Sequence, residues 1–368
     1  KEVSQKYYKS FQPNLINKNW ILNNMEVIQL LSKADRHIGR LDMYSEYVNI
    51  DLFIRMHIAK EATQSSKIEG TQTNMEEAFL KKEEVAFEKR DDWEEVQNYI
   101  SAMNEAVKLL HTLPFSSRLI KQTHKILLQG VRGEHKLPGE YRTSQNWIGG
   151  ASINDAVFIP PIHNTINELI SDLEHFANDE LNPLPDLVKI AIIHYQFETI
   201  HPFLDGNGRV GRLLITLYLV SKGVLKQPIL YLSDFFERNR TLYYDNLMRV
   251  RTHNDMNQWL KFFLTGVIET SKKGVATFDG ILQLQKVLEE KLKILGNRNV
   301  DARKIINYLY SQPIIEVNKV EELIEKSSVT SYKLLADLEK LDIIKEISGA
   351  QRNRLYVFKD YIDLFNND

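Results

Sequence analysis

Apolar residues recur at intervals of three and four over most of the 368-residue chain, and this spacing limits its possible folds more than any other feature. Such spacing lines one face of a helix with apolar side chains. The 10 prolines and 16 glycines fall mainly between the periodic segments. The pattern predicts a mainly α-helical protein, with helices near residues 20–34, 42–66, 94–110, 116–129, 163–178, 184–198, 208–222, 240–250 and 255–290.

Residues 140–161 interrupt the helical pattern. One β-prone run surrounds Trp147, Ile148 and Gly149, a second covers 157–159, and a polar, glycine-containing centre separates them. The arrangement predicts a β-hairpin.

The C-terminal residues have the pattern of a separate module. Three short helical segments come first, at 300–311, at 319–325 and beginning at Ser328. Two β-prone runs follow, at 344–347 and 355–358, with a polar turn between them. This order predicts a winged helix-turn-helix, in which the third helix of a DNA-binding member enters the major groove.

The charge of this module argues against a strong phosphate contact. Residues 301–368 contain 10 Lys/Arg and 12 Asp/Glu, a poor match to a phosphate-binding surface. A local patch of Lys333, Arg352 and Arg354 is still conceivable. DNA binding therefore stays open beside protein contact or dimerisation, which the charge favours slightly.

Composition excludes several classes of protein. The lack of cysteine excludes thiolate catalysis and cysteine-bound zinc, and a formal net charge of −2 provides no large positive field that would favour nucleic acid or an anionic membrane. The first ten residues lack the apolar core of a signal peptide, and the apolar run at 213–220 is too short to span a bilayer. These features predict a cytoplasmic protein without a membrane partner.

The stretch HPFLDGNGRVGR, residues 201–212, contains the highest concentration of candidate catalytic and binding residues in the chain. It lies between two apolar helices, so Gly206-Asn207-Gly208 is predicted to form a tight turn at a helix N-terminus. Backbone N–H groups point outward at such a turn and favour phosphate oxygens.

The side chains around this turn suit phosphate chemistry. Asp205 offers the carboxylate oxygen that Mg²⁺ prefers. Arg209 and Arg212 are three residues apart, so both project to one side and can grip phosphates. His201 can stay neutral near pH 7 and act as a general base, and Phe203 is expected to anchor the turn.

This stretch resembles, without a departure, the signature His-x-Phe-x-Asp/Glu-Gly-Asn-Gly-Arg-x-x-Arg of the Fic (Fic/Doc) family. The resemblance implies a helical Fic fold over roughly residues 90–275. It also implies an enzyme, a protein adenylyltransferase, that moves AMP from MgATP to a Ser, Thr or Tyr hydroxyl of a target protein. By the same resemblance His201 is the base, Asp205 holds Mg²⁺ and Arg212 reaches the γ-phosphate.

The resemblance assigns further residues to nucleotide and target. The nucleotide-binding set is Gly206, Asn207, Gly208, Arg209, Val210, Gly211, Arg212, Tyr243 and Tyr244. The tyrosine pair fits two functions equally well: the rings could flank the adenine, or they could simply pack in the core. Trp147, Ile148 and Gly149 lie where the family has its flap, a hairpin that holds the target backbone by strand addition.

A second pattern, Ser65-x-x-x-Glu69-Gly70, ends a helical segment in the N-terminal region. Beside the Fic signature it is similar to the family's inhibitory motif. Glu69 is expected to pair with Arg212, and Ser65 to hydrogen-bond near Asn207. The enzyme is therefore expected to have low basal activity.

The predicted organisation is an N-terminal helical region at 1–90 with the inhibitory motif, a catalytic core at 91–275, a helical linker at 276–299 and the winged-helix module at 300–368. Self-modification, removal of AMP and a homodimer stay open. Two other hypotheses remain: transfer of UMP, phosphocholine or phosphate on the same fold, and a regulator or scaffold whose Fic core is inactive.

Overall fold

The computed structural model describes residues 8–47, 49–130, 133–350 and 353–366, which are mainly helical. The helices in these ranges are α1 Met25–Tyr47, α2 Ile50–Ile68, α3 Arg90–Leu109, α4 Ser117–Leu127, α5 Ile166–Asn178, α6 Asp186–Ile200, α7 Asn207–Ser221, α8 Ser233–Arg238, α9 Arg240–His253, α10 Met256–Lys293, α11 Asn299–Ser311, α12 Val317–Ile324, α13 Ser328–Lys340 and α14 Lys359–Asn366. The predicted segments match α3 to α7 and α9 to α13 within a few residues. The segment predicted at 42–66 is wrong at its start, because α1 continues to Tyr47 and α2 begins at Ile50.

The centre of the molecule is the pair α6 and α7. Every residue of α6 after its first is buried, as is nearly all of α7. Helices that are apolar on every side are stable only inside a protein, and these two pack against each other. The loop 201–206 that joins them is therefore held at both ends by the most buried helices. None of the helices in the described ranges is both long and apolar enough to traverse a bilayer.

Helix α2 links the core to the C-terminal elements. It contacts α3 and α8, and it also contacts α11 and α14. The buried Phe53 ring lies 5.2 Å from Tyr310 in an edge-on arrangement and 6.3 Å from Tyr361. The ring of His57 lies 5.0 Å from Phe365. The C-terminal elements are thus packed directly on the helix that ends at the predicted inhibitory motif.

The C-terminal part contains a small antiparallel sheet after α11. Its strands are β1 Ile314–Glu316, β2 Lys345–Glu346 and β3 Leu355–Val357, in the order β1-β3-β2. Strands β2 and β3 match the predicted hairpin, whereas the sequence reading missed β1 and α14. The winged-helix and DNA-binding assignments stay predictions, and Arg352 of the suggested basic patch lies outside the described residues.

The hairpin predicted at 140–161 is reduced to one antiparallel bridge. Ile148 and Phe158 exchange backbone hydrogen bonds of 2.9 and 3.1 Å. Gly149 and Gly150 both have positive φ, and a short 3-10 turn, Ile153–Asp155, follows. These turns bend the chain directly after the bridge, so the described residues of this segment do not extend the bridge into a longer β-ladder.

Candidate active site

Hydrogen bonds fix the loop between α6 and α7. His201 has left-handed backbone geometry (φ 49°) and donates its N–H to Phe197 O, 2.9 Å away. Asn207 Oδ1 accepts the N–H of Phe203 at 2.8 Å, while its Nδ2 donates to Phe203 O at 2.9 Å. Phe203 is fully buried and stacks on His124 at 3.6 Å between centroids, which confirms its predicted role as anchor. The side chain of Asn207 therefore serves the loop, and only its backbone is left for a ligand.

The first turn of α7 presents open amides. Gly206 precedes it with φ 74°, a conformation that glycine adopts without strain. Among the described residues, no acceptor receives the backbone N–H of Asn207, Gly208 or Arg209. A Cβ on Gly208 would lie 2.4 Å from a carboxylate oxygen of Glu69. The turn is thus an anion site with a protein carboxylate already at its edge.

Asp205 is the exposed carboxylate of the loop. Its side chain is 45% exposed, and Oδ1 lies 3.6 Å from Arg209 Nη2. Oδ1 also accepts the N–H of Gly206 at 2.6 Å. In the described part of the chain, no three His, Asp or Glu side chains form a metal cluster. One carboxylate beside a phosphate site still fits Mg²⁺, which takes its other ligands from phosphates and water.

The environment of His201 keeps its imidazole neutral. Burial lowers its pKa to about 4, and the positive charges of Arg251 and Arg142 act in the same direction. Its Nδ1 is buried, and a hydrogen bond of the ring to the backbone of Glu198 acts on the pKa in the opposite direction. A neutral ring whose Nδ1 is inaccessible can exchange a proton with a substrate only through Nε2.

Arg212 is held by α2. Its Nη2 donates to Glu69 Oε1 at 2.6 Å and to Ser65 O at 2.9 Å, and its Nε donates to Ser65 Oγ at 2.9 Å. The arginine side chain is 1% exposed and that of Glu69 37%. Burial favours a higher pKa for Glu69, but the charge and hydrogen bond of Arg212 lower it overall. The predicted Glu69–Arg212 contact is therefore present and charged at neutral pH.

The expected partner of Ser65 was wrong. Its hydroxyl binds Arg212 rather than Asn207, whose side chain is already paired with the backbone of Phe203. Ser65 and Glu69 lie one turn apart on α2, so together they grip one guanidinium from two sides.

Profiles of known families match this part of the chain. The Fic/DOC family N-terminal profile matches residues 28–108, and the Fic/DOC family profile matches residues 114–219, which include the whole loop and α7 as far as Leu219. The chain belongs to the Fic/DOC family. The first match contains helix α2 with Ser65 and Glu69, and the second contains the 201–212 signature.

Curated relatives within the family are named protein adenylyltransferases. A probable protein adenylyltransferase of Aquifex aeolicus is 29% identical over 189 residues, which is 46% of this chain and 56% of the relative. The protein adenylyltransferase Fic of Drosophila grimshawi is 29% identical over 171 residues, 45% of this chain and 32% of the relative. The chain thus matches between a third and just over half of the length of these relatives.

Solved structures support the fold. A Fic family protein from Desulfovibrio desulfuricans aligns with a TM-score of 0.58 and 19% identity, covering 93% of this chain and 98% of that one. Fic-1 from C. elegans aligns with a TM-score of 0.51 and 22% identity, covering 70% and 76%. The likeness extends the Fic fold well beyond the signature.

Two residues that support the Fic loop were missed by the sequence reading. Buried Arg142 donates to His201 O at 3.0 Å and to Pro161 O at 2.6 Å. Asn146 Nδ2 donates to Phe203 O at 2.9 Å. Both tie the 140–161 segment to the catalytic loop. Their partners are backbone carbonyls, which leave no trace in a sequence.

The flap residues lie in this tied segment. Trp147 is partly exposed, and Ile148 forms the bridge to Phe158. A side chain on Gly149 would lie 2.7 Å from Val157, so glycine is required for the turn. Flap function stays a prediction, with Trp147 as its outward-facing side chain.

The two tyrosines of α9 differ in environment. Tyr243 is 1% exposed, stacks on Phe236 at 4.5 Å and hydrogen-bonds His194 Nε2 at 2.9 Å. Tyr244 is 39% exposed. Core packing accounts for Tyr243, and only Tyr244 has a surface that a base could contact.

Val210 and Gly211, assigned to the nucleotide by resemblance, face inward. Val210 is fully buried, and a Cβ on Gly211 would lie 2.2 Å from the carboxylate of Glu198. Gly211 lets α6 and α7 approach closely, so both residues position the loop through packing.

Proposed function

We propose that this Fic/DOC protein is a protein adenylyltransferase, which transfers AMP from ATP to a Ser, Thr or Tyr hydroxyl of a target protein. The observation that carries the proposal is the arrangement around 201–212: a neutral His201 on the same short loop as the open amides of α7. The names of the curated relatives supply the class of reaction.

His201 is the general base in this proposal. A target hydroxyl gives its proton to Nε2 of His201 as its oxygen attacks the α-phosphorus of ATP. The new oxygen–phosphorus bond joins AMP to the target, and the bond between the α-phosphorus and the bridging oxygen breaks to release pyrophosphate. Because burial lowers the pKa of His201 to about 4, the ring is neutral at pH 7 and its Nε2 lone pair is available to the proton.

Asp205 and the first turn of α7 bind the phosphates. The amides of Gly208 and Arg209 would donate to phosphate oxygens, and Arg212 would grip the terminal phosphate once released from α2. The exposed carboxylate of Asp205 would hold Mg²⁺, which neutralises phosphate charge when bound.

Glu69 acts as a brake in this scheme. Its carboxylate forms a salt bridge with the guanidinium of Arg212. Its Oε1 also lies 2.4 Å from the position that a Cβ atom on Gly208 would occupy. A terminal phosphate entering this space would meet a carboxylate instead of a cation. ATP binding in the productive pose therefore requires Glu69 to move. We also propose that the same carboxylate orients a water for the removal of AMP, as the family resemblance implies.

The test is the mass of the adduct formed by the Glu69→Gly protein, incubated with ATP and a cell lysate. We expect hydroxyl side chains, including those of the enzyme itself, to carry AMP, and His201→Ala to abolish the adduct. His175→Ala, which removes an exposed histidine of α5, should leave it unchanged. An adduct of phosphate or another nucleotide would refute AMP transfer, and an adduct that survives His201→Ala would refute the base.

A further inference from the structure

Arg209 is shared between two carboxylates on opposite sides. Its guanidinium is 6% exposed; Nη1 donates to Glu95 Oε2 at 2.9 Å, while Nη2 lies 3.6 Å from Asp205 Oδ1. The first contact is a charge-assisted hydrogen bond, whereas the second is too long for one. Glu95 therefore holds the cation more closely than Asp205 does.

The closer contact of Arg209 with Glu95 than with Asp205 is important because Asp205 is the proposed ligand of Mg²⁺. A guanidinium bonded to Asp205 would occupy its lone pairs and repel a divalent cation. Asp205 and Arg209 alone sum to zero charge, and Glu95 makes the set of three negative. By holding Arg209 back, Glu95 leaves the exposed carboxylate of Asp205 open to a metal.

We propose that Glu95, on α3, is a positioning residue that sets the divalent-cation affinity of the nucleotide site by holding Arg209 away from Asp205. The inference rests on the proposed function for the role of Asp205. In this proposal Glu95 acts through its hydrogen bond to Arg209.

Glu94 offers a matched control. It neighbours Glu95 on α3 and lines the same cavity as Asp205 and Arg209, but it pairs with Lys82, 3.2 Å away. Replacing either glutamate by glutamine removes one negative charge from this cavity. Only Glu95→Gln also releases Arg209.

The experiment measures Mn²⁺ binding by electron paramagnetic resonance, with ATP present, in the Glu69→Gly protein. Adding Glu95→Gln should raise the half-saturating Mn²⁺ concentration about tenfold, since a neighbouring cation then competes at Asp205. Adding Glu94→Gln should change it less than about twofold, because a partly exposed charge is well screened. Equal shifts in both variants, or no shift with Glu95→Gln, would overturn the proposal.

Metal-free ATP binding, measured in EDTA, separates positioning from damage to the fold. Glu95→Gln should leave this affinity unchanged or increase it, because a negative charge near the phosphates is lost. A fall in both metal-free ATP binding and Mn²⁺ binding would indicate a collapsed site and overturn the role of Glu95. Neither readout needs AMP transfer, so the proposed function can fail while the positioning role stands.

Discussion

In the proposed function, control of the site passes through the side chain of Arg212. It is buried, and the backbone carbonyl and hydroxyl of Ser65 share it with the carboxylate of Glu69. The contact with Glu69 neutralises the cation, whereas the contacts with Ser65 fix the plane of the guanidinium. The proposed brake therefore predicts separable effects of Ser65 and Glu69 on ATP binding.

Ser65→Ala should weaken the brake without abolishing it. The variant leaves Nε of Arg212 without its acceptor, which costs roughly 1–2 kcal/mol and would raise basal AMP transfer about fivefold to thirtyfold. The measurement is incorporation from α-labelled ATP into the protein or its targets. Ser66→Ala is the control, because that buried hydroxyl has no partner among the described residues. A similar rise in both variants would contradict the assigned role of Ser65.

The sequence was most informative where residue type and spacing carry the chemistry. The glycines of the turn and the Glu69–Arg212 pair followed from local pattern and family resemblance. Arg142 and Glu95 could not be found this way, because their roles depend on contacts made across 59 and 114 positions of the chain. The inward packing of Tyr243 likewise depends on His194 and Phe236, which lie elsewhere in the sequence.

At the scale of elements, α2 has two packed surfaces. One carries Ser65 and Glu69 against α7, and the other carries Phe53 against α11 and α14. Long periodic helices such as α10 were predictable, because many apolar positions define the stripe. The three-residue β1 and the eight-residue α14 were not, because tertiary contacts rather than periodicity stabilise such short segments.

Phe53→Ala should destabilise the protein strongly. The ring is 1% exposed and packs edge-on against Tyr310, so its loss leaves a cavity that typically costs about 3–5 kcal/mol. Urea denaturation measures the change in the free energy of unfolding. Phe87→Ala, at an exposed position, should cost less than about 0.5 kcal/mol. A comparable small cost for Phe53→Ala would show that α2 is not anchored by the C-terminal elements.

At the scale of the molecule, buried titratable groups set the pH range of stability. Burial lowers the pKa of His57 and His194 to about 3 and that of His124 and His201 to about 4. Burial also raises the pKa of Glu61 and Glu198 to about 7. The histidines favour the folded state above pH 6.5 and lose that contribution as the pH falls toward 4. The glutamates favour it at low pH and lose their contribution as the pH rises through 7.

The two sets oppose each other, and four histidines outweigh two glutamates below pH 6. The unfolded chain then binds more protons than the folded one, so stability falls with acidification. We expect the melting temperature to be highest near pH 7 and clearly lower at pH 5. Differential scanning calorimetry across pH 5 to 8 measures this, and a melting temperature that rises toward pH 5 would contradict the neutral state of the histidines.

The most direct measurement is the rate of AMP incorporation from α-labelled ATP by the wild-type protein and by Glu69→Gly, with the Glu69→Gly/His201→Ala double variant beside them. Release of Arg212 from a charge-assisted contact worth roughly 1.5–3 kcal/mol predicts a rate about 10- to 100-fold higher for Glu69→Gly. The double variant should show no incorporation. Equal rates for the wild-type and Glu69→Gly proteins would contradict the claim that α2 restrains a complete catalytic site.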